Sequence, residues 1–272
     1  MPNITTSKCV LVVGATSGIG MALALAILTL PSQPTVIISG RRKARLDEIL
    51  AQNASTAGGR LHALQMDIDV DTPAIAATVK QLLVAYPALD AVVFAAGIQR
   101  ELVYTHPATV DTAAFLSELN TNYTAIVAFI HALLPHFLQQ KNGLVVPITS
   151  GLALLPAAWV PGYCASKAAL HSFAVSLAVQ LRGTGVSFVE VMPPLVESEL
   201  HDYDGTTAAL SARWMPLAEF TALTMEGLAK ERADTEPIEL VIGNIQDLYN
   251  KWEAGKLGVV NMIASHRPAR AE

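Results

Sequence analysis

Cys9-Val10-Leu11-Val12-Val13 is an apolar run, and Gly14-Ala15-Thr16-Ser17-Gly18-Ile19-Gly20 follows it directly. Met21 to Leu30 then reads as helix and ends at Pro31-Ser32-Gln33-Pro34. The run is rich in β-branched residues and reads as a buried strand. Strand, glycine loop and helix in that order form a dinucleotide site. Glycines permit the tight turn and let backbone N–H groups approach a diphosphate at the positive end of the helix. A plain turn is the competing reading, and the flanking strand and helix weigh against it. The same alternation continues outward. Thr35 to Ser39, Leu61 to Met66, Leu89 to Phe94, Leu144 to Thr149, Val186 to Met192 and Glu239 to Ile242 read as strands, with helical stretches between most of them. Alternating βα units predict an α/β fold, a doubly wound parallel sheet of about seven strands with helices on both faces. With no internal repeat or linker, residues 1–272 read as one domain.

A second stretch carries chemistry. Tyr163-Cys164-Ala165-Ser166-Lys167 follows Pro161-Gly162, a pair that starts a helix. At helical spacing the Tyr163 phenol and the Lys167 ammonium lie one turn apart on one face. A nearby cation lowers a phenol pKa from its ordinary ~10, and the helix dipole adds to this. The expectation is a tyrosine that exchanges a proton near pH 7. Ser150 ends the apolar run Leu144 to Ile148 and lies thirteen residues before Tyr163. A serine at a strand's C-terminal end, facing that tyrosine, is placed to hold a carbonyl oxygen. Together, Ser150, the Tyr-x-x-x-Lys pair and the Gly-x-x-x-Gly-x-Gly loop resemble the short-chain dehydrogenase/reductase family, over about Lys8 to Ile242.

The resemblance implies a Rossmann fold and hydride transfer between a nicotinamide and a carbonyl or alcohol. Ser150, Tyr163 and Lys167 match the family's catalytic positions. Asn122 in Asn122-Tyr123-Thr124-Ala125 matches its Asn-x-x-Gly. Asn120 competes for that place, and the spacing to Ala125 favours Asn122. In the family this asparagine sits at a helix kink, here within a long helix in Asp111 to Gln140. The implied cofactor contacts are Gly14, Thr16, Ser17, Gly18, Ile19, Gly20, Asp67, Ile68, Ala96, Gly97, Tyr163, Lys167, Pro193, Val196 and Ser198. Ala95 replaces the family's asparagine before Ala96-Gly97, and Pro194 replaces a glycine after Pro193. Strand two ends in Ser39-Gly40-Arg41-Arg42, without the carboxylate that accepts from ribose hydroxyls in NAD enzymes. The next acid is Asp47. Arg41 can fork onto a 2′-phosphate, Arg42 supplies a second cation or stacks on adenine, and Ser17 adds a hydroxyl. The expected cofactor is therefore NADP(H).

Leu152, Leu154, Leu155, Pro156, Trp159 and Val160 lie between Ser150 and Tyr163. In the family that stretch borders the cleft, as does the lid with Leu195, Leu200 and Trp214. A relatively hydrophobic ketone or secondary alcohol is the implied substrate. Glu199 to Trp214, within a substrate region spanning 195–235, reads as a mobile lid. The alternative function is a non-catalytic nucleotide-binding regulator on the same fold. Such proteins commonly lose the tyrosine or the lysine, and this chain keeps both.

Hydrophobic residues make up 52% of the chain, ample for a large core. A net charge of −5, with no basic cluster beyond Arg41-Arg42-Lys43, argues against a nucleic-acid surface. Met21 to Leu30 is too short to span a bilayer, and Met1 to Lys8 is too polar for a signal peptide. Cys9 and Cys164 suggest no disulfide framework, which points to a reducing compartment, the cytoplasm. His62, His106, His131, His136, His171, His201 and His266 lack metal-ligand spacing, so no metal is expected. Cys164 reads as packing. His201 falls in the lid, within reach of substrate, and reads first as a solvated loop residue; the chain beyond Glu253 reads as a polar tail. The family pairs its long central helices about a two-fold axis, which implies a homodimer or homotetramer.

Overall fold

Every residue of β1 (Cys9–Val13) is buried, as in a strand covered on both faces. The computed structural model describes residues 2–204, 207–233 and 238–265. β2 (Thr35–Gly40), β3 (Leu61–Gln65), β4 (Ala91–Phe94), β5 (Gly143–Pro147) and β6 (Val186–Phe188) join β1 in one parallel sheet of order β3-β2-β1-β4-β5-β6. The chain winds outward from β1 to β3, then returns to start β4 on the other side of β1. That reversal opens a crevice beyond the C-terminal ends of β1 and β4, where ligands of such sheets bind.

β7 (Glu190–Met192) pairs with β8 (Glu239–Val241). Val145 faces Phe188, and three residues further along both strands Ile148 faces Val191. β6 and β7 thus keep one register on β5 with an interruption at Val189. Counted this way the sheet has seven strands, as the alternation predicts.

Side chains alternate across β1. Val10 and Val12 join one core with Leu23, Ile27 and Phe220, from α1 (Gly18–Leu28) and the later helix Leu217–Ala229. Leu11 and Val13 join the other with Phe129, Leu133 and Leu170. α2 (Lys43–Ala57) covers the first face, and α3 (Thr72–Ala85) the second. Asp71 caps α3 by accepting from the Ala74 amide at 2.9 Å.

The expected long helix is three consecutive pieces: α4 (Thr112–Leu119), a π-turn at Asn120–Thr124, and α5 (Ala125–Gln140). α6 (Pro161–Gln180) follows β5. α7 (Thr207–Leu210) lies in the expected lid, and α8 (Leu217–Ala229) closes it. α9 (Gln246–Trp252) is the expected short helix. The polar tail is corrected: Lys256–Ser265 forms α10, with Leu257 buried and Val260 packed against the core. No helix among the described residues is long and apolar enough to cross a membrane. His266 and residues 205–206 and 234–235 of the lid region lie outside the described residues.

Candidate active site

The glycine loop is packed backbone against backbone. Gly14 has φ +87°, and a β-carbon there would stand 2.4 Å from the Ala96 nitrogen. One on Gly20 would stand 2.2 Å from the Gly14 oxygen, so only hydrogen fits at either place. Ser17 precedes α1 in an extended conformation and makes no capping hydrogen bond. The first N–H groups of α1 therefore lack a side-chain partner. With no acid in the first helical turn, this corner fits a diphosphate. Ser198 packs close to Gly18, 3.3 Å from where its β-carbon would lie. Asp67, exposed beyond β3, accepts from the Asp69 amide at 2.9 Å, and Ile68 beside it is buried.

At the end of β2 the two arginines differ. Gly40 leaves room that Thr16 fills, because a β-carbon there would meet the Thr16 methyl at 2.7 Å. Arg41 is exposed and makes no side-chain hydrogen bond or ion pair among the described residues. Arg42 turns inward. Its Nε and Nη2 donate to Thr16 Oγ1 at 3.0 and 2.7 Å, and Nη2 donates to Ser17 Oγ at 2.7 Å. Its Nη1 reaches Glu199 Oε2 at 2.8 Å.

Ser150, Tyr163 and Lys167 converge at the C-terminal end of β5. Ser150 Oγ accepts from the Leu152 amide at 3.1 Å. Cys164 packs as expected: the Ala157 amide donates to its sulfur, holding the intervening loop against α6. Lys167 Nζ donates to the Ile148 carbonyl at 2.9 Å and stands 5.6 Å from the centre of the Tyr163 ring. The expected lowering of the Tyr163 pKa is corrected. Burial pushes the phenol well above its ordinary value, the hydrogen bond with Ser150 opposes this, and Cys164 and Glu118 add to the rise. Burial also pushes Lys167 down to about 8, against the pull of Glu190. Desolvation is the largest influence on both groups, because each side chain is buried.

The π-turn separates the two asparagines. Asn120 donates to Asp69 at 2.9 Å and ties the turn to the loop after β3. Asn122 is fully buried and faces the site. Its Oδ1 accepts from the Ile98 amide, and its Nδ2 donates to the Ile98 carbonyl, each at 2.8 Å. A β-carbon on Gly97 would be 3.5 Å from Asn122 Oδ1 and 3.7 Å from Lys167 Nζ. Gly97, Asn122 and Lys167 thus meet on one side of the cleft.

Ser150 and Tyr163 open onto a cavity of about 460 Å³. Leu152, Leu155, Trp159, Val160, Leu195 and Leu200 line it; Leu154, Pro156 and Trp214 do not. Pro193, Pro194, Val196 and Ser198 form its edge, and Pro193 accepts from the Gly151 amide at 2.9 Å. His201, half-buried, also lines the cavity, the place its reading as a substrate contact requires. Ile245 and Leu248, from the chain around α9, also line it. Neither carries a local signal for that role in the sequence.

Sequence reading also missed a buried set behind the site. His171, one turn beyond Lys167, meets Glu190 Oε2 at 2.9 Å and Glu253 Oε2 at 3.3 Å, and Thr149 donates to Glu190 at 2.5 Å. Among the described residues no group of three or more His, Cys, Asp or Glu side chains is placed to hold a metal ion.

A family model described as short chain dehydrogenase matches residues 8–208. A Bacillus subtilis (strain 168) protein described as the uncharacterized oxidoreductase DltE is 35% identical over 236 residues, covering 86% of this chain and 90% of that one. The NADP-dependent 3-hydroxy acid dehydrogenase YdfG of Escherichia coli (strain K12) is 29% identical over 69% of this chain and 72% of its own. A solved short-chain dehydrogenase from Sphingobium yanoikuyae, in complex with NADPH, has a TM-score of 0.79 over 97% of this chain and 98% of that chain. At 22% identity that likeness is one of fold.

Proposed function

The chain belongs to the short-chain dehydrogenase family and is an oxidoreductase of that type, and from that premise we propose that it uses NADP(H) to interconvert a relatively hydrophobic ketone and its secondary alcohol. The observation that carries this reading is the placement of Ser150 and Tyr163 on an apolar cavity beside the glycine loop. The bound nicotinamide supplies or accepts the hydride. Ser150 and Tyr163 hold the carbonyl oxygen. The Tyr163 phenol, kept neutral by burial, gives its proton to that oxygen as charge develops there, so the site starts as an acid in the reductive direction. Lys167 faces the phenolate left behind and stabilises it while its own ammonium keeps a proton. The apolar walls exclude water and favour a substrate with hydrophobic flanks.

Gly40 and Arg42 support the choice of NADP(H). β2 itself ends in no carboxylate, and the Arg42 guanidinium and the Ser17 hydroxyl, which in this structure hold Glu199, are donors suited to a 2′-phosphate. The Escherichia coli relative is named NADP-dependent and the Sphingobium structure holds NADPH, which agrees with this choice. The test is steady-state reduction of a carbonyl panel with NADPH and with NADH, for the wild type and for Arg41→Ala and Arg42→Ala. The wild type should prefer NADPH and apolar ketones, and the variants should raise KM for NADPH alone. Equal use of NADH, or preference for small polyols, would overturn the corresponding half of the proposal.

A further inference from the structure

Arg42 is already occupied, and its occupant is an anion. Glu199 opens a short 3-10 turn, Glu199–Asp204, just after the cavity edge. Its Oε2 accepts from Arg42 Nη1 at 2.8 Å, and its Oε1 lies 3.7 Å from Arg45 Nη2. Ser17 adds a hydrogen bond, and Arg42 above all holds the carboxyl below its ordinary range. A forked guanidinium, a second cation and a serine hydroxyl are the donors a phosphate takes. Here they hold a carboxylate from the lid.

The lid is pinned separately at its base. The Glu197 amide donates to Met215 at 3.0 Å, and the Met215 amide to Leu195 at 2.8 Å. The Leu217 amide donates to Glu197 Oε2 at 3.2 Å. Glu199 therefore adds a polar tie between the near edge of the lid and the glycine loop, beside the packing of Ser198 on Gly18. The ion pair is half-exposed, with the two side chains 48% and 41% accessible, and such pairs hold weakly.

We propose that Glu199 is a specificity-determining clasp, seated where the 2′-phosphate of NADP(H) binds. This inference rests on the NADP(H) reading above. A 2′-phosphate and a carboxylate cannot share one cradle, because like charges in contact repel. A dinucleotide with the phosphate displaces Glu199, takes over Arg42 and Ser17, and frees the near edge of the lid. A dinucleotide without it leaves the clasp shut. Selection between the two cofactors is thereby coupled to the segment that covers the substrate.

The test is calorimetric titration of adenosine 2′,5′-bisphosphate and of 5′-AMP into the wild type and Glu199→Gln. Removing the internal competitor should tighten the bisphosphate about threefold to tenfold and leave 5′-AMP within about twofold. Equal changes for both ligands, or none for either, would overturn the clasp. A wild type with no preference for the bisphosphate, together with an unchanged ratio in the variant, would overturn the NADP(H) reading as well. A wild-type preference with an unchanged ratio would sink the clasp alone. Amide exchange over residues 197–202 gives a second readout in the wild type. It should quicken with the bisphosphate and not with 5′-AMP; no change, or slowing, would overturn displacement.

Discussion

Tyr163 and Lys167 lie one turn apart and are both driven toward their neutral forms by burial. For the tyrosine this means an acid that stays loaded throughout the neutral range. Tyr163→Phe keeps the ring and removes the proton, so turnover should fall about 10²–10⁴-fold while dinucleotide titration still shows binding; unimpaired turnover would exclude Tyr163 as the acid. For the lysine, burial is a cost. Its folded pKa lies below the unfolded one, from 10.5 down to about 8. Below about 8 both states are charged and the folded state bears the full penalty. As pH rises from about 8 to 10.5 the penalty disappears. Lys167→Met should therefore be more stable than the wild type at pH 7, by about 1–2 kcal/mol once the lost hydrogen bond to Ile148 is counted. Urea denaturation at pH 7 and 9.5 checks this, and the gap should narrow at the higher pH. The spacing of the pair was legible because helical periodicity is local. The direction of the Tyr163 shift was not, because it depends on chain that closes over the ring from elsewhere. That Arg42 and not Arg41 reaches the glycine loop was likewise hidden, because its partners Thr16 and Ser17 lie 26 and 25 residues away in sequence.

α6 does more than carry the two reacting side chains. Through His171 it is tied to Glu190 of β7 and to Glu253 just past α9, so the helix is fixed against both the sheet and the C-terminal segment. Burial alone would lower the His171 pKa, but Glu190 and Glu253 reverse this and hold it raised. A raised histidine stabilises the fold fully below its unfolded pKa of about 6.5, and that contribution is lost as pH climbs through the folded value. His171→Gln should cost about 3 kcal/mol at pH 6 and distinctly less at pH 8.5, read from denaturation midpoints. A cost independent of pH would mean that the histidine is neutral and acts by packing. These partners lie far apart in sequence, which is why no motif announced them. The strands and the helix starts were legible from apolar runs and from capping residues such as Asp71. α10 was misread as tail although Leu257 and Val260 stand at helical spacing, a signal that a short, partly polar segment makes easy to pass over. The kink expected at the asparagine takes the form of a π-turn, which turns Asn122 inward while Asn120 binds Asp69.

At the scale of the whole molecule the remaining question is what covers the outer faces of α4, α5 and α6. On α6 the exposed positions Ala165, Ser172 and Ser176 are small and recur at helical spacing along one side, which ends at the exposed Gln180. Small residues let a neighbouring helix approach closely, so this face suits helix-to-helix contact about a two-fold axis, where the same patch meets itself. Leu116 on α4, 56% exposed, and Leu138 on α5, 39% exposed, are apolar groups left uncovered by the single chain. The chain is accordingly expected to be a homodimer or homotetramer. Light scattering at micromolar concentration should return a multiple of 28.8 kDa. Ser172→Arg places a long cation on the α6 face without disturbing a buried group, so the monomer should keep its fold. Circular dichroism should be unchanged while the mass falls toward one chain, because an unpaired charge in a contact between identical faces meets its own copy. A monomeric wild type would refute the assembly, and an oligomer that survives Ser172→Arg would move the contact away from α6.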